Sequence, residues 1–436
     1  MALSLDLAIM MINLLRRFSR NRSANVATIF AFASIPTIFL LGMGLDFSSA
    51  VRRQSQLDAA ADAAAIAAVT PAMMAQDSAV ATTTATNIFN GKAVGLAGLA
   101  SAPTPTVTIT NNGLVRTVTV AYTAQATNNF PKILGPTSWT ISGTSSATST
   151  VMPNINFYLL LDSSPSMAIA GTPAGITTMV NNTASQGGCA FACHESNPSA
   201  DNLGNPGGED NYALARNLGV TLRIDLLAQA TATLMATAAA TEAANNNTYK
   251  VAIYTFDVGI NTIQTLTTNL TTAETEAAAI QVLKVYDNNC LTSSNCNNDE
   301  DTNWDLALSD LNTTMPNPGG GTNVGNDTPQ EVLFVVTDGV EDENVSGTRT
   351  YAMSASECTT IKNRGIRIAV LYTEYLPLPT NAWYNSYIAP IQSNVAPTMQ
   401  ACASPGLFFD VVSGGDISSA MTALFQQAVA TARLTQ

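Results

Sequence analysis

The chain's 436 residues, 46% of them hydrophobic and 11% charged, are enough for two or three domains with substantial cores, and they exclude a disordered chain as the default. The formal charge of −13 is uneven: residues 1–60 hold six basic side chains (Arg16, Arg17, Arg20, Arg22, Arg52 and Arg53) and three acids (Asp6, Asp46 and Asp58), leaving 12 basic and 28 acidic residues for the remainder. That acidic excess, with no basic stripe interleaved with aromatics, excludes nucleic acid as a partner.

Residues 1–23 form a basic N-terminus, in which Met11 would serve as well as Met1 for a start. From Ala24 to Leu45, "ANVATIFAFASIPTIFLLGMGL" carries no charge. As a helix rising about 1.5 Å per residue it covers the roughly 30 Å of bilayer hydrocarbon. Pro36 would kink the span, which membrane helices tolerate. Four arginines closely precede it and two follow, so the positive-inside bias places the N-terminus in the cytoplasm and the bulk of the chain outside it. No small-x-small site closes the apolar run, so we expect a retained single-pass inner-membrane anchor rather than a cleaved signal peptide. "DFSSAVRRQSQLDAAADAAAIAAV" then continues as Ala-rich helix, and "PTVTITNN" (105–112), "LVRTVTVAYTAQA" (114–126) and "SWTISGTSSATST" read as strands. Together these predict a helical stalk and a small β-meander over 46–150.

In residues 25–69 an Asn-Val-Ala lead, a single span, the acidic-aromatic pair Asp46-Phe47 and an Ala/Asp-rich helix follow one another. In that order they resemble the N-terminal segment of the TadG-like proteins of Flp/Tad pilus assembly systems. The resemblance implies a bacterial envelope protein serving a pilus or secretion machine.

Further on, "FYLLLD" (157–162) runs five apolar residues into Asp162, and serines follow at every second position, Ser164 and Ser166. The apolar run reads as a strand buried on both faces, with the hydroxyls in the loop at its carboxyl end, where open α/β sheets place ligands. From there strand and helix patterns alternate. "KVAIYTFDV", "INTIQTLT", "EVLFVVTDG", "IRIAVLYTEY" and "LFFDVV" are strands. "RIDLLAQATATLMATAAATEAA", "AETEAAAIQVLK", "SECTTIKNRG" and "DISSAMTALFQQAVATARL" are helices. The alternation predicts an α/β fold, a mostly parallel sheet with helices on both faces.

The run D-S-S-P-S at 162–166 resembles the D-x-S-x-S of the von Willebrand factor type A domain, and "VLFVVTDG" resembles that fold's strand ending in an aspartate. The resemblance covers residues 151–436, with an insertion at 171–210. It implies a metal ion-dependent adhesion site in which Asp162, Ser164, Ser166, Thr302 of "DTNWDLAL" and Asp338 hold one Mg²⁺, or Ca²⁺ or Mn²⁺. Thr322 of "GGGTNVG" is a rival to Thr302, lying one element too late. A hard cation takes six oxygens, and mostly neutral ligands leave it able to accept an acidic side chain from a protein partner. Pro165 departs from the small residue usual between the serines, and would either stiffen the loop or distort it.

Six cysteines in a chain expected outside the cytoplasm suggest three disulfides. Cys290 and Cys296 bracket a short polar loop. Cys358 and Cys402 flank the last strands, where a type A sheet would bring a helix and a strand lead-in together. Cys189 and Cys193 remain, as a local pair. "CAFACH" offers two alternatives, a haem attachment motif with one residue too many between its cysteines, or zinc on the two thiolates and His194. With one histidine and no G-x-S-x-G, Walker A or H-E-x-x-H motif, no enzyme is expected. The sequence therefore points to a membrane-anchored binding protein of pilus assembly or secretion, the alternative being a metal-free envelope scaffold of the same fold.

Overall fold

The computed structural model describes residues 10–14, 16–17, 22–130, 137–287, 291, 301–322, 327–345, 348–375, 377–379, 381–412 and 415–432. Two compact units are present, Met1–Thr150 and Val151–Gln436.

In the first unit, α1 (Arg22–Ala67) is a single helix of 46 residues, its helical assignment unbroken at Pro36. Its leading half exposes Val26, Ile29, Phe30, Phe32 and Leu40, and by length and composition it is apolar enough to cross a membrane. Its trailing half buries Leu57, Ala60, Ala61 and Ala64 with Phe89 of α2 (Ser78–Ala93). The sheet of this unit is antiparallel, β1 (Pro105–Asn112), β2 (Val115–Thr127) and β3 (Ser138–Thr150) in that order. Alternation along β2 turns Val118, Val120, Tyr122 and Ala124 inward, so alanines on α1 let the helix approach a strand face of larger residues. Asp58 on α1 accepts a 2.6 Å hydrogen bond from the Tyr122 hydroxyl, and buried Asp46 accepts from the Asn129 and Phe130 amides.

The second unit is built on a six-stranded sheet of β4 (Ile155–Asp162), β5 (Tyr249–Phe256), β6 (Ile260–Thr267), β7 (Gln330–Thr337), β10 (Arg367–Thr373) and β11 (Phe408–Val411). The order is β11-β10-β7-β4-β5-β6, all parallel except β6 against β5. A hairpin of β8 (Val340–Val345) and β9 (Thr348–Ala352) stands apart from it. Central β4 and β7 are buried at every position, as a parallel sheet covered on both faces requires. Phe157, Leu159 and Leu161 face α3 (Arg223–Asn245) and α8 (Ile417–Thr431), while Tyr158 and Leu160 face α5 (Trp304–Thr314), α6 (Ser356–Asn363) and α7 (Gln392–Cys402).

The helix expected over 273–284 is shorter, α4 (Leu270–Ala278). Ile280 and Val282 leave it to fill the core, and the Leu283 amide donates to the Ser163 carbonyl at 2.7 Å. Cys358 of α6 and Cys402 of α7 are joined, S–S 2.02 Å. Cys290 and Cys296 lie outside the described residues. The local Cys189–Cys193 disulfide is not formed, and both thiols are free. Phe191 pairs with Ile169 in a β-bridge and the Ala192 amide donates to the Ala168 carbonyl, so the segment is tied down at its middle.

Candidate metal centre

Asp162 ends β4 and Thr337 ends β7. The strands run in register, Leu161 opposite Val336, so these two ends are neighbours and the Thr337 hydroxyl donates to Asp162 Oδ2 at 2.7 Å. Ser164 donates to Asp162 Oδ1 from its amide (3.0 Å) and its hydroxyl (2.6 Å). Its backbone is extended (φ −62°, ψ 161°), as a residue before proline prefers, and Pro165 opens a 3₁₀ turn, Pro165–Ala168. That turn returns the Ser166 hydroxyl to 2.9 Å from that of Ser164. Pro165 therefore stiffens the loop without distorting it.

Ser166 also lies beside Asp338 and helps hold its carboxyl charged, and Asp338 Oδ1 accepts from the Val340 amide at 3.2 Å. Gly339 between them has φ +75°, and a Cβ there would sit 2.3 Å from Val395 Cγ1, so the turn after Asp338 needs glycine. Asp162, Ser164 and Ser166 thus form one hydrogen-bonded chain, with Asp338 beside its end. Thr302 reaches the same place from another loop. Reciprocal backbone hydrogen bonds with Asp342 hold it (3.3 and 3.0 Å), and it lines one cavity with Ser166. Thr322 lies at the opposite end of the sheet. Gly321 beside it accepts from the Asn154 amide, just before β4 begins, and the Thr322 hydroxyl is bound to Asp327.

Burial pushes the Asp162 carboxyl up to about 7, helped by the charge of Asp338 and opposed by hydrogen bonds from Ser164 and Thr337. Asp338 is likewise raised by burial, with Arg223 opposing. Arg223, at the start of α3 and 4% exposed, pairs with Asp338 at 3.1 Å. It also donates to the carbonyls of Thr373 (2.7 Å) and Glu374 (3.3 Å). Neither Arg223 nor Thr337 is among the residues that the sequence singles out. The available signals are an arginine heading an otherwise Ala-rich helix and the Thr of "TDG".

Among the described residues no three His, Cys, Asp or Glu side chains converge as metal ligands. Any ion here would rely on hydroxyl oxygens beside the two carboxylates, an all-oxygen set that suits a hard divalent cation. The cavity over Ser166 and Thr302 is walled by Phe191, Val340 and Trp383, and Cys189 and Cys193 also face it. Burial raises both thiols, so they stay protonated and make poor metal ligands at neutral pH. His194 is engaged elsewhere, 2.9 Å from Asp210 and stacked on Tyr212 at 4.5 Å.

The carboxyl-edge loops and the sheet order, which counted along the chain is 3-2-1-4-5-6 with strand 3 antiparallel, define a von Willebrand factor type A fold. Residues 25–77 match the family model described as "Putative Flp pilus-assembly TadE/G-like". No curated protein matches the chain in sequence. Among solved structures it is similar to the vWF domain of the type V pili tip protein Mfa5 from Porphyromonas gingivalis (TM-score 0.35, 8% identity, 64% of this chain and 96% of that one). It is also similar to BatB from Bacteroides thetaiotaomicron (0.33, 12%, 64% and 100%). A third is the PilB minor pilin from Streptococcus sanguinis (0.33, 12%, 76% and 79%).

Proposed function

We propose that this chain is a membrane-anchored binding protein of the bacterial envelope that works in Flp/Tad pilus assembly or secretion. It takes an acidic side chain of a protein partner at an ion held by Asp162, Ser164, Ser166, Thr302 and Asp338. The observation that carries the reading is the hydrogen-bonded chain from Asp162 through Ser164 to Ser166, with Asp338 beside its end, opening next to Thr302 into a cavity. Charge supports it. Two carboxylates and Arg223 sum to one negative charge, so a divalent cation leaves the site positive toward an incoming carboxylate. Hydroxyls suit this role because each can turn a lone pair to a metal once one is present. Binding is favoured over catalysis because the carboxyls beside the serines are both engaged, Asp162 by Ser164 and Thr337 and Asp338 by Arg223 and the Val340 amide.

The anchor is α1, with the N-terminus in the cytoplasm and the second unit in the periplasm, on the arginine asymmetry around residues 24–45. Reporter fusions at Thr150 test the orientation, and cytoplasmic reporter activity there would contradict it. Capture of envelope proteins by the full chain with Mg²⁺ and with EDTA tests the function. A partner retained only with Mg²⁺, and lost on Asp338→Ala, is the expected result.

A further inference from the structure

We propose that the cavity over Ser166 and Thr302 is a two-part docking site for a protein segment presenting one carboxylate directly beside an aromatic or large aliphatic side chain. This deepens the ion-binding reading above and rests on it for the carboxylate half. The second half belongs to Phe191 and Trp383.

Three segments outside the sheet build the apolar wall, and each is tied to the candidate ligands. Phe191, in the 171–210 insertion, bridges Ile169, directly after the turn that carries Ser166. Val340 follows Asp338 by two residues. Trp383 precedes the helical turn Tyr384–Ile388, and Tyr384 and Ile388 are buried with Ile169, Ala190, Val340 and Tyr375 in a cluster separate from both sheet-face cores. Trp383 stands edge-on to Phe191 (6.1 Å, 87°) and to Tyr351 (5.8 Å, 86°). Tyr351 in turn lies 4.9 Å from Tyr387. The indole is therefore braced from two sides, while Phe191 and Trp383 remain partly exposed to the cavity, unlike core Trp304 at 0%.

Fixed rings at a cavity wall offer area to a partner's apolar side chain at little cost in ordering. Polar groups on the opposite rim narrow the choice. Asp301 and Asp342 line the cavity beside Thr302, and Arg349 pairs with Asp342, so this part of the lining is polar and offers nothing to a second apolar side chain. One acid with one apolar neighbour fits the cavity.

The test uses the full chain in detergent micelles and three blocked hexapeptides, Gly-Gly-Asp-Phe-Gly-Gly, Gly-Gly-Asp-Ala-Gly-Gly and Gly-Gly-Asn-Phe-Gly-Gly, titrated by NMR with Mg²⁺ and with EDTA. With Mg²⁺ the Asp-Phe peptide should bind about ten-fold tighter than Asp-Ala. Phe191→Ala and Trp383→Ala should remove most of that ratio with Mg²⁺ affinity unchanged, and Trp383→Phe should keep it. Equal binding of Asp-Phe and Asp-Ala, or a ratio untouched by both alanine variants, would overturn the proposal. Two outcomes separate it from the ion reading. If Asp-Ala binds with Mg²⁺ as well as Asp-Phe, the ion reading stands and the apolar half falls. If Asp-Phe and Asn-Phe bind alike with Mg²⁺, both above Asp-Ala, the apolar half stands and the ion reading falls.

Discussion

The two ends of the six-stranded sheet both bury acids, in opposite ways. At the amino end Glu331, 2% exposed, accepts a 2.9 Å hydrogen bond from the Asn156 amide. Burial pushes it up to about 7, with Asn156, Lys250 and Arg364 opposing. Nearby, the Thr322 hydroxyl is held by Asp327. There the acid relieves its burial by taking a proton. At the carboxyl end Asp162 and Asp338 share a chain of hydroxyls that opens into a cavity, and a buried arginine offsets one of them. A raised acid is therefore no sign of a metal site by itself. Rotatable hydroxyls and an opening distinguish the two ends.

The largest expected effect is at Arg223. Arg223→Ala leaves Asp338 buried without its ion pair and should destabilise the metal-free chain by about 3–5 kcal/mol in chemical denaturation. Mg²⁺ should recover part of that loss, since the ion replaces the missing positive charge. An unchanged midpoint would mean that the guanidinium does not neutralise the carboxyl end.

Next is the bridge beside the amino half of β10, where Ser404, two residues after Cys402, donates to the Ile368 carbonyl. Cys358 and Cys402 are 44 residues apart, and losing their disulfide should cost about 4 kcal/mol by the chain-entropy model. Mg²⁺ should not restore it, because the bridge and the ion act at different ends. Recovery by Mg²⁺ in the double serine variant would break the comparison.

Glu331→Gln sharpens the comparison through pH. The folded carboxyl titrates near 7, above its ordinary 4.5. Its favourable contribution is complete below about pH 4.5 and is lost as pH rises through about 7, a swing of roughly 3 kcal/mol at most. The glutamine variant should flatten the fall in stability between pH 5 and pH 8 by up to that amount, in EDTA and in Mg²⁺ alike. A slope that disappears from the wild type once Mg²⁺ is added would assign it to the carboxyl end instead.

Much of this is legible in the sequence because its signals are local. The five-residue apolar run before Asp162 and the run before Thr337-Asp338 are strands whose neighbours follow from fold order, so Asp162 and Asp338 meet. Thr302 and Thr322 each precede or follow a recognisable element, and only the sheet's direction tells which end each occupies. Other features depend on tertiary context. Arg223 enters the site because the first turn of α3 points there, which no pattern around it encodes. The β8–β9 hairpin has no apolar alternation to announce it, because three consecutive acids, Glu341, Asp342 and Glu343, are all buried in it. Helix α7 is masked by Pro397, and Ile280 to Val285 keep a helical spacing while packing as an extended crossing. The pairing of Cys189 with Cys193 fails because spacing says nothing of how Phe191 is tied to Ile169.

The most direct test of the account is calorimetric titration of the full chain with Mg²⁺, paired with denaturation at saturating ion. One ion should bind, stabilising the fold by about 2.7 kcal/mol at 100 times its Kd. Asp162→Ala, Ser164→Ala and Thr302→Ala should weaken or abolish that gain, and Thr322→Ala, at the other end, should leave it within about 0.5 kcal/mol of wild type. No heat and no stabilisation in the wild type, or a loss on Thr322→Ala equal to that on Thr302→Ala, would contradict the account.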